Sequence, residues 1–202
     1  MSTNHHCEPN SSADDDKALL AEFQELWDAA EELWTRNEDS PAFFRYVSAD
    51  YLGVFESLRQ LRGEAFTFLE WGSGLGVVTI MASRLGFDAY GIEAEPQLAE
   101  YAQVLAESYG DQARFAQGSF IPDEYRWSPS NGDEVSRTII DMPCAYDELD
   151  MELRDFDVVY AYPWPDEHTF YHNIMRQFAR RDALLLSYDA LEGTQLTSFQ
   201  DA

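Results

Sequence analysis

The sequence predicts an α/β protein whose sheet is doubly wound and mostly parallel, with helices in front and a shortened C-terminal part. Two observations carry that expectation. From residue 65 onward, short apolar runs of strand character alternate with segments of helical periodicity. A glycine-rich turn, Gly72-Ser73-Gly74-Leu75-Gly76, joins the first run to the segment after it. No repeat at a solenoid period competes with this reading.

Met1 to Asp16 are polar, with Asn-Ser-Ser and Asp-Asp-Asp runs, and read as a disordered tail. Its His5-His6-Cys7 has metal-ligand chemistry, but a solvated tail is the better account, and no metal is expected. From Lys17 to Arg36, Leu19, Leu20, Phe23, Leu26, Trp27, Ala30, Leu33 and Trp34 draw one helical stripe. Ser40-Pro41 punctuates. A second amphipathic segment then carries Phe43, Phe44, Tyr46, Val47, Tyr51, Phe55, Leu58 and Leu61 up to Arg62. Residues 17–62 are thus a helical preface and 63–202 the α/β domain.

Ala65 to Trp71 is a short buried strand, and Val77 to Leu85 a helix stopped by Gly86. Asp88 to Glu93 is the second strand, Pro96 to Tyr109 a helix, and Gln112 to Gln117 the third strand. Phe120 to Arg154 holds Pro122, Pro129, Asn131-Gly132 and Pro143 and is mostly loop, with Arg137 to Met142 a candidate short strand. Phe156 to Tyr162 is the next strand, Asp166 to Arg180 a helix, and Ala183 to Tyr188 the last central strand. Gln195 to Phe199 would add an edge strand, and an open edge invites pairing with a second copy as a homodimer.

Composition narrows the function. The formal net charge is −25, and lysine occurs once, at Lys17. Such a field repels nucleic-acid backbones and no basic stripe offsets it, so no nucleic-acid partner is expected. It permits a cationic substrate; a solvated acidic surface explains the charge as well. No apolar run approaches the roughly 20 residues of a membrane span, and no signal segment opens the chain. A cytoplasmic protein without a membrane partner follows. The cysteines, Cys7 and Cys144, make no disulfide framework.

In a doubly wound sheet, ligands bind at the carboxyl ends of the strands, where the first strand–helix turn sits. Here its glycines follow Glu70. The spacing is G-x-G-x-G, with Val77 where the nicotinamide fingerprint wants its third glycine, and the Gly-Lys-Ser/Thr of a phosphate loop is absent. A carboxylate at that point repels pyrophosphate and attracts an ammonium or a sulfonium. The helix start behind it would offer free N–H groups.

"FLEWGSGLG" closely resembles the first motif of class I S-adenosylmethionine-dependent methyltransferases, which have a Rossmann-like fold. The second strand ends in "YGIEAEPQL", and the resemblance makes Glu93 the carboxylate that grips the ribose hydroxyls; it lies 21 positions after the first glycine. "ARFAQGSF" resembles the third-strand motif, with Ser119 where the family carries an acid near adenine. "FDVVYAYPWPDE" resembles the fourth-strand motif that lines the transfer site. The resemblance spans residues 65 to about 188. It implies S-adenosylmethionine as cofactor, held by Glu70, Gly72, Ser73, Gly74, Gly76, Glu93, Ala94, Ser119 and Phe120.

It also implies a transferase with few catalytic groups, since a sulfonium is an activated donor. The candidates follow strand four: Tyr162, Trp164, Asp166 and His168. Trp164 would cover a cationic acceptor, or simply pack on the core. His168 would act as a base near neutral pH, or sit on a helix surface. Asp166 would cap the helix after it. The amide or carboxylate of amino-methylating relatives is missing from Ala161-Tyr162-Pro163-Trp164. Tyr46, Asp50 and Tyr51 would line a lid over the methionine end. The expected activity is methyl transfer to a small molecule or a protein side chain. A non-catalytic S-adenosylmethionine-binding module and an aminopropyl transferase acting on polyamines are the alternatives.

Overall fold

The computed structural model describes residues 11–128 and 137–199, with backbone alone for 11–14. Six strands form one sheet: β1 (Thr67–Trp71), β2 (Asp88–Glu93), β3 (Arg114–Gln117), β4 (Val158–Ala161), β5 (Leu184–Asp189) and β6 (Gly193–Ser198). Their order is β3-β2-β1-β4-β5-β6, with the first five parallel and β6 antiparallel to β5. The order reverses between β1 and β4, so the crevice of this sheet opens over their carboxyl ends. The expected edge strand exists, two residues earlier than its apolar pattern suggested. Thr194 anchors it through a 2.8 Å hydrogen bond from Ser57.

The helices are α1 (Ser11–Asn37), α2 (Tyr51–Leu61), α3 (Val77–Arg84), α4 (Pro96–Ser108), the single turn α5 (Tyr146–Leu149) and α6 (His168–Phe178). They pack on both faces, because strand side chains alternate. Phe68, Val158 and Tyr160 face a cluster that includes Phe23 and Leu26 of α1 and Val54, Phe55 and Leu58 of α2. Leu69, Trp71, Val159 and Ala161 face the other cluster, with Tyr146, Phe170, Ile174 and Met175. The N-terminal helices therefore share the core of the sheet.

Three stretches depart from their sequence patterns. Helix α1 begins at Ser11, so residues 11–16 are helical rather than tail; Asp16 pairs with Arg59 of α2 and with Arg62 just after it, and holds that end down. Residues 1–10, with the His5-His6-Cys7 group, lie outside the described residues. The second amphipathic segment is broken in two. A 3-10 turn at Pro41–Phe43 is followed by a further turn and irregular backbone, and α2 starts only after Asp50, whose side chain accepts from the Gly53 N–H and caps it. Arg137 to Met142 is not a strand. Its first N–H groups are taken by a side chain, the buried carboxylate of Glu167, at 2.7 Å from Arg137 N and 3.4 Å from Thr138 N. Pro129 and Asn131-Gly132 fall outside the described residues.

Asp157 ties the entrance of β1 to β4. Its carboxylate accepts from the N–H groups of Phe66 (2.7 Å) and Thr67 (2.9 Å) and pairs with Arg180. Burial alone would raise its pKa, but the bonds from Thr67 and Phe66 outweigh it and the group sits below the usual range. Asp157→Asn is expected to cost about 1.5–3 kcal/mol, read as a lower urea midpoint at unchanged slope.

Candidate functional site

The glycine turn between β1 and α3 is held by two carboxylates. Gly72, Gly74 and Gly76 all have left-handed backbone, at φ of 71°, 53° and 74°. At two of them space also forbids a side chain. A Cβ on Gly74 would stand 2.6 Å from the ring of Tyr46, and one on Gly76 2.6 Å from Phe115 and 2.9 Å from Ala102. Gly76 is thus a packing glycine at the start of α3, and it does not line the cleft described below.

Four donors of the turn are consumed from within. Gly72 and Ser73 N–H both donate to the Ile92 carbonyl, at 2.9 and 3.0 Å, and Gly76 N–H to the Ser73 carbonyl at 2.7 Å. Gly74 N–H donates to Glu93 at 2.7 Å, and the other Glu93 oxygen accepts from Glu95 N–H at 2.9 Å. Glu70 accepts from both the N–H (2.8 Å) and the hydroxyl (2.5 Å) of Thr79, inside the first turn of α3. The helix start expected to present free N–H groups is flanked by two carboxyl groups, Glu70 and Glu93. A pyrophosphate would have to lie against both of them.

Both carboxyls are buried. Burial pushes Glu70 up to about 8, the bonds from Thr79 opposing and the charge of Glu93 adding. Burial raises Glu93 too, against the bonds from Glu95, Gly74 and Ala94. A cation placed between them would favour the ionised forms of both.

Above the turn lies a cleft of about 620 Å³. It is lined by Glu70, Gly72, Ser73, Gly74, Glu93, Ala94, Ser119, Phe120, Tyr162 and Trp164 among the residues expected from sequence. The hydroxyl of Ser73 is buried there without a partner among the described residues. Ser119 accepts from the N–H of Ile121, and Phe120 stacks on Trp71 with centroids 4.7 Å apart.

Asp166 and His168 are not brought to the cleft. The backbone turns at Asp166 with φ 69°, and neither it nor Glu167 makes a side-chain cap for α6. His168 sits at the start of that helix, 3.8 Å from Asp189. Trp164 does meet a cation, but one from this chain: the Arg137 guanidinium lies 4.8 Å from its ring. Arg45 in turn donates to the Arg137 carbonyl, joining the N-terminal segment to the loop across the cleft.

The preface contributes Tyr46 and Tyr51, whose hydroxyls are 2.9 Å apart in the cleft wall; Asp50 is used up as the α2 cap. Tyr160 of β4 also lines the cleft, and its buried hydroxyl has no partner among the described residues. Sequence reasoning passed over Tyr160, because its place in an apolar strand marks it as core. Burial raises Tyr46 to about 12 and holds Tyr51 and Tyr160 well above the phenol range, so all three are neutral hydroxyls. Among the described residues no group of three or more metal-ligating side chains forms. No described helix is long and apolar enough to cross a membrane.

No protein-family model and no curated protein matches this sequence. Solved structures do match. One is an RNA methyltransferase from Salinibacter ruber in complex with S-adenosyl-L-homocysteine, at TM-score 0.50 and 18% identity, covering 71% of this chain and 78% of that one. A second is cofactor-bound Rv0187 from MTB, at TM-score 0.50 and 21% identity, covering 91% and 73%. A third is an O-methyltransferase from Bacillus cereus in complex with SAH, at TM-score 0.52 and 17% identity, covering 80% of this chain and 66% of that one. What these likenesses establish is the fold: this chain has the Rossmann-like α/β fold found in S-adenosylmethionine-dependent methyltransferases.

Proposed function

We propose that this chain is an S-adenosylmethionine-dependent methyltransferase whose acceptor is a small molecule or a protein side chain. The observation that carries the reading is the pair of buried carboxylates, Glu70 and Glu93, that fill the glycine turn at the sheet's reversal point. A nucleoside sulfonium with an amino-acid tail fits that donor set, and an anionic dinucleotide does not. The Glu93 oxygens accept the N–H groups of Gly74 and Glu95 and keep lone-pair capacity for a ribose hydroxyl. Ala94, Ser119 and Phe120 would flank the base, and the unpartnered Ser73 hydroxyl and Glu70 would receive the tail. A cleft of about 620 Å³ is within the usual range for a cofactor of this size.

When bound, the cofactor supplies an activated methyl group. The chain's residues then have to orient and to exclude water, and strong acid–base chemistry is not required of them. Tyr162 and Trp164 stand at the β4 side of the cleft as its positioning residues, with Trp164 fixed by Arg137. The net charge of −25 supports an acceptor other than a nucleic acid.

Calorimetric titration with S-adenosylhomocysteine tests the reading. Wild type is expected to bind it, and Glu93→Ala to bind about tenfold or more weakly, since a hydrogen bond to a buried charge is worth about 1.5–3 kcal/mol. Glu93→Gln keeps an acceptor for Gly74 N–H and should fall between the two. Equal affinity in wild type and Glu93→Ala would remove Glu93 from the ribose site, and no binding to wild type would end the cofactor reading.

A further inference from the structure

We propose that the acceptor is an amine on an apolar or aromatic stem, its nitrogen seated among the hydroxyls of Tyr46, Tyr51 and Tyr160 and its stem laid against Trp34. This rests on the cofactor reading above and names the substrate class for the same site.

The three phenols line one cleft, and Tyr46 reaches the glycine turn. The Tyr46 ring occupies the space that a Cβ on Gly74 would need. Its hydroxyl pairs with that of Tyr51, and the hydroxyl of Tyr160 is buried with no partner among the described residues. A buried phenol in that state wants a polar ligand atom. The charges around it select which one. Glu70 acts on all three phenols, and Glu93 on Tyr46 and Asp50 on Tyr160 besides. Arg45 and Arg137 are the cations among the described lining residues; one is bonded to a carbonyl of the loop and the other lies over Trp164.

An anionic acceptor would meet Glu70. A neutral alcohol would have to lose its proton to one of the lining carboxylates, Glu70, Glu93, Glu95 or Asp189, as it attacks, since no described lining residue is a histidine or lysine. An amine loses its proton beforehand and needs no base during the attack. It is drawn in as a cation by the acidic surroundings and gives one proton to water. Its nitrogen lone pair then forms the N–CH3 bond as the S–CH3 bond breaks. The electrons of that bond remain on sulfur as a neutral thioether, and the positive charge passes to the N-methylammonium product.

A second cavity, of about 470 Å³, tells where the rest of the acceptor goes. It shares Tyr46, Val47, Ala49 and Tyr51 with the cofactor cleft and is closed by Trp27, Ala30, Glu31 and Trp34 of α1. Trp27 stacks on Tyr51, whereas Trp34 is 40% exposed and Val47 53%. Two indoles and a carboxylate side by side suit an apolar stem that carries positive charge.

The probes are 2-phenylethylamine, 2-phenylethanol, 3-phenylpropionate and Nα-acetyl-lysine amide, titrated into protein saturated with S-adenosylhomocysteine, then assayed for methyl transfer from radiolabelled S-adenosylmethionine. The phenylethylamine is expected to bind at least tenfold more tightly than the alcohol or the acid, and to be methylated. Tyr160→Phe should weaken it about tenfold and Trp34→Ala about fivefold, with S-adenosylhomocysteine affinity within twofold of wild type in both. Equal or better binding of the alcohol or the acid overturns the amine, as does unchanged amine affinity in both variants. A preference for the lysine amide overturns the Trp34 seat. Failure of S-adenosylhomocysteine to bind would bring down the cofactor reading and this inference together; failure of the amine preference with it bound brings down this inference alone.

Discussion

Glu70→Gln is expected to make the ligand-free protein more stable above pH 8 and to weaken its cofactor binding by tenfold or more. The carboxyl titrates near 8 in the fold and near 4.5 when unfolded, so between those values the native state holds the extra proton. Stability is therefore fully present below pH 4.5 and is lost as pH rises through 8, by on the order of 5 kcal/mol. Glutamine keeps an acceptor for both bonds from Thr79 and carries no charge to bury. Thermal unfolding of the two proteins from pH 5 to 9 reads the effect: the wild-type curve should fall away from that of the variant as pH rises. Parallel curves would mean that Glu70 is ionised without strain.

Ligand binding should show the reverse side of the same group. A cation beside Glu70 favours the ionised carboxylate, so wild type at pH 7 should release close to one proton on binding S-adenosylmethionine, and Glu70→Gln should not. Calorimetry in two buffers of different ionisation heat measures that release.

The second large effect is Gly76→Ala. A left-handed φ of 74° strains any other residue, and the new Cβ would stand 2.6 Å from Phe115 and 2.9 Å from Ala102, both anchored in β3 and α4. Backbone strain and overpacking together should cost about 2–4 kcal/mol. At about 2–4 °C per kcal/mol for a chain of this size, the midpoint should drop by roughly 5–15 °C. Gly86→Ala is the control: its φ is 100°, but nothing lies within 4 Å of the added atom, so strain acts alone and the drop should be smaller. Equal drops would show that the contact with Phe115 relaxes at no cost.

Much of the sheet was legible in the sequence because its strands are short apolar runs broken by glycine or proline, and that pattern has few other solutions. The glycine turn and Glu70 could be read because their spacing is local; Glu93, about twenty positions on, could be read through the resemblance to the second-strand motif of class I methyltransferases. What could not be read depends on a cap, a turn or a distant partner that the apolar pattern does not carry. Asp50 starts α2 by accepting the N–H of Gly53, so a continuous apolar stripe from Phe43 to Leu61 still breaks. The strand expected at Arg137 to Met142 is undone by Glu167, about thirty positions away. His168 and Asp166 are near Trp164 in sequence, but the left-handed turn at Asp166 carries them off the cleft. Tyr160 was hidden by its own setting, since nothing in an apolar run reveals a hydroxyl that lacks a partner.

The self-sufficiency of the glycine turn also limits how this scaffold can be re-engineered. Supplying the missing glycine at Val77 would not by itself admit a redox dinucleotide, because Glu93 holds the Gly74 amide, the Ile92 carbonyl holds those of Gly72 and Ser73, and Glu70 braces the first turn of α3 at Thr79. Any such conversion has to begin by deleting acids, and would surrender the braces that keep the turn in shape.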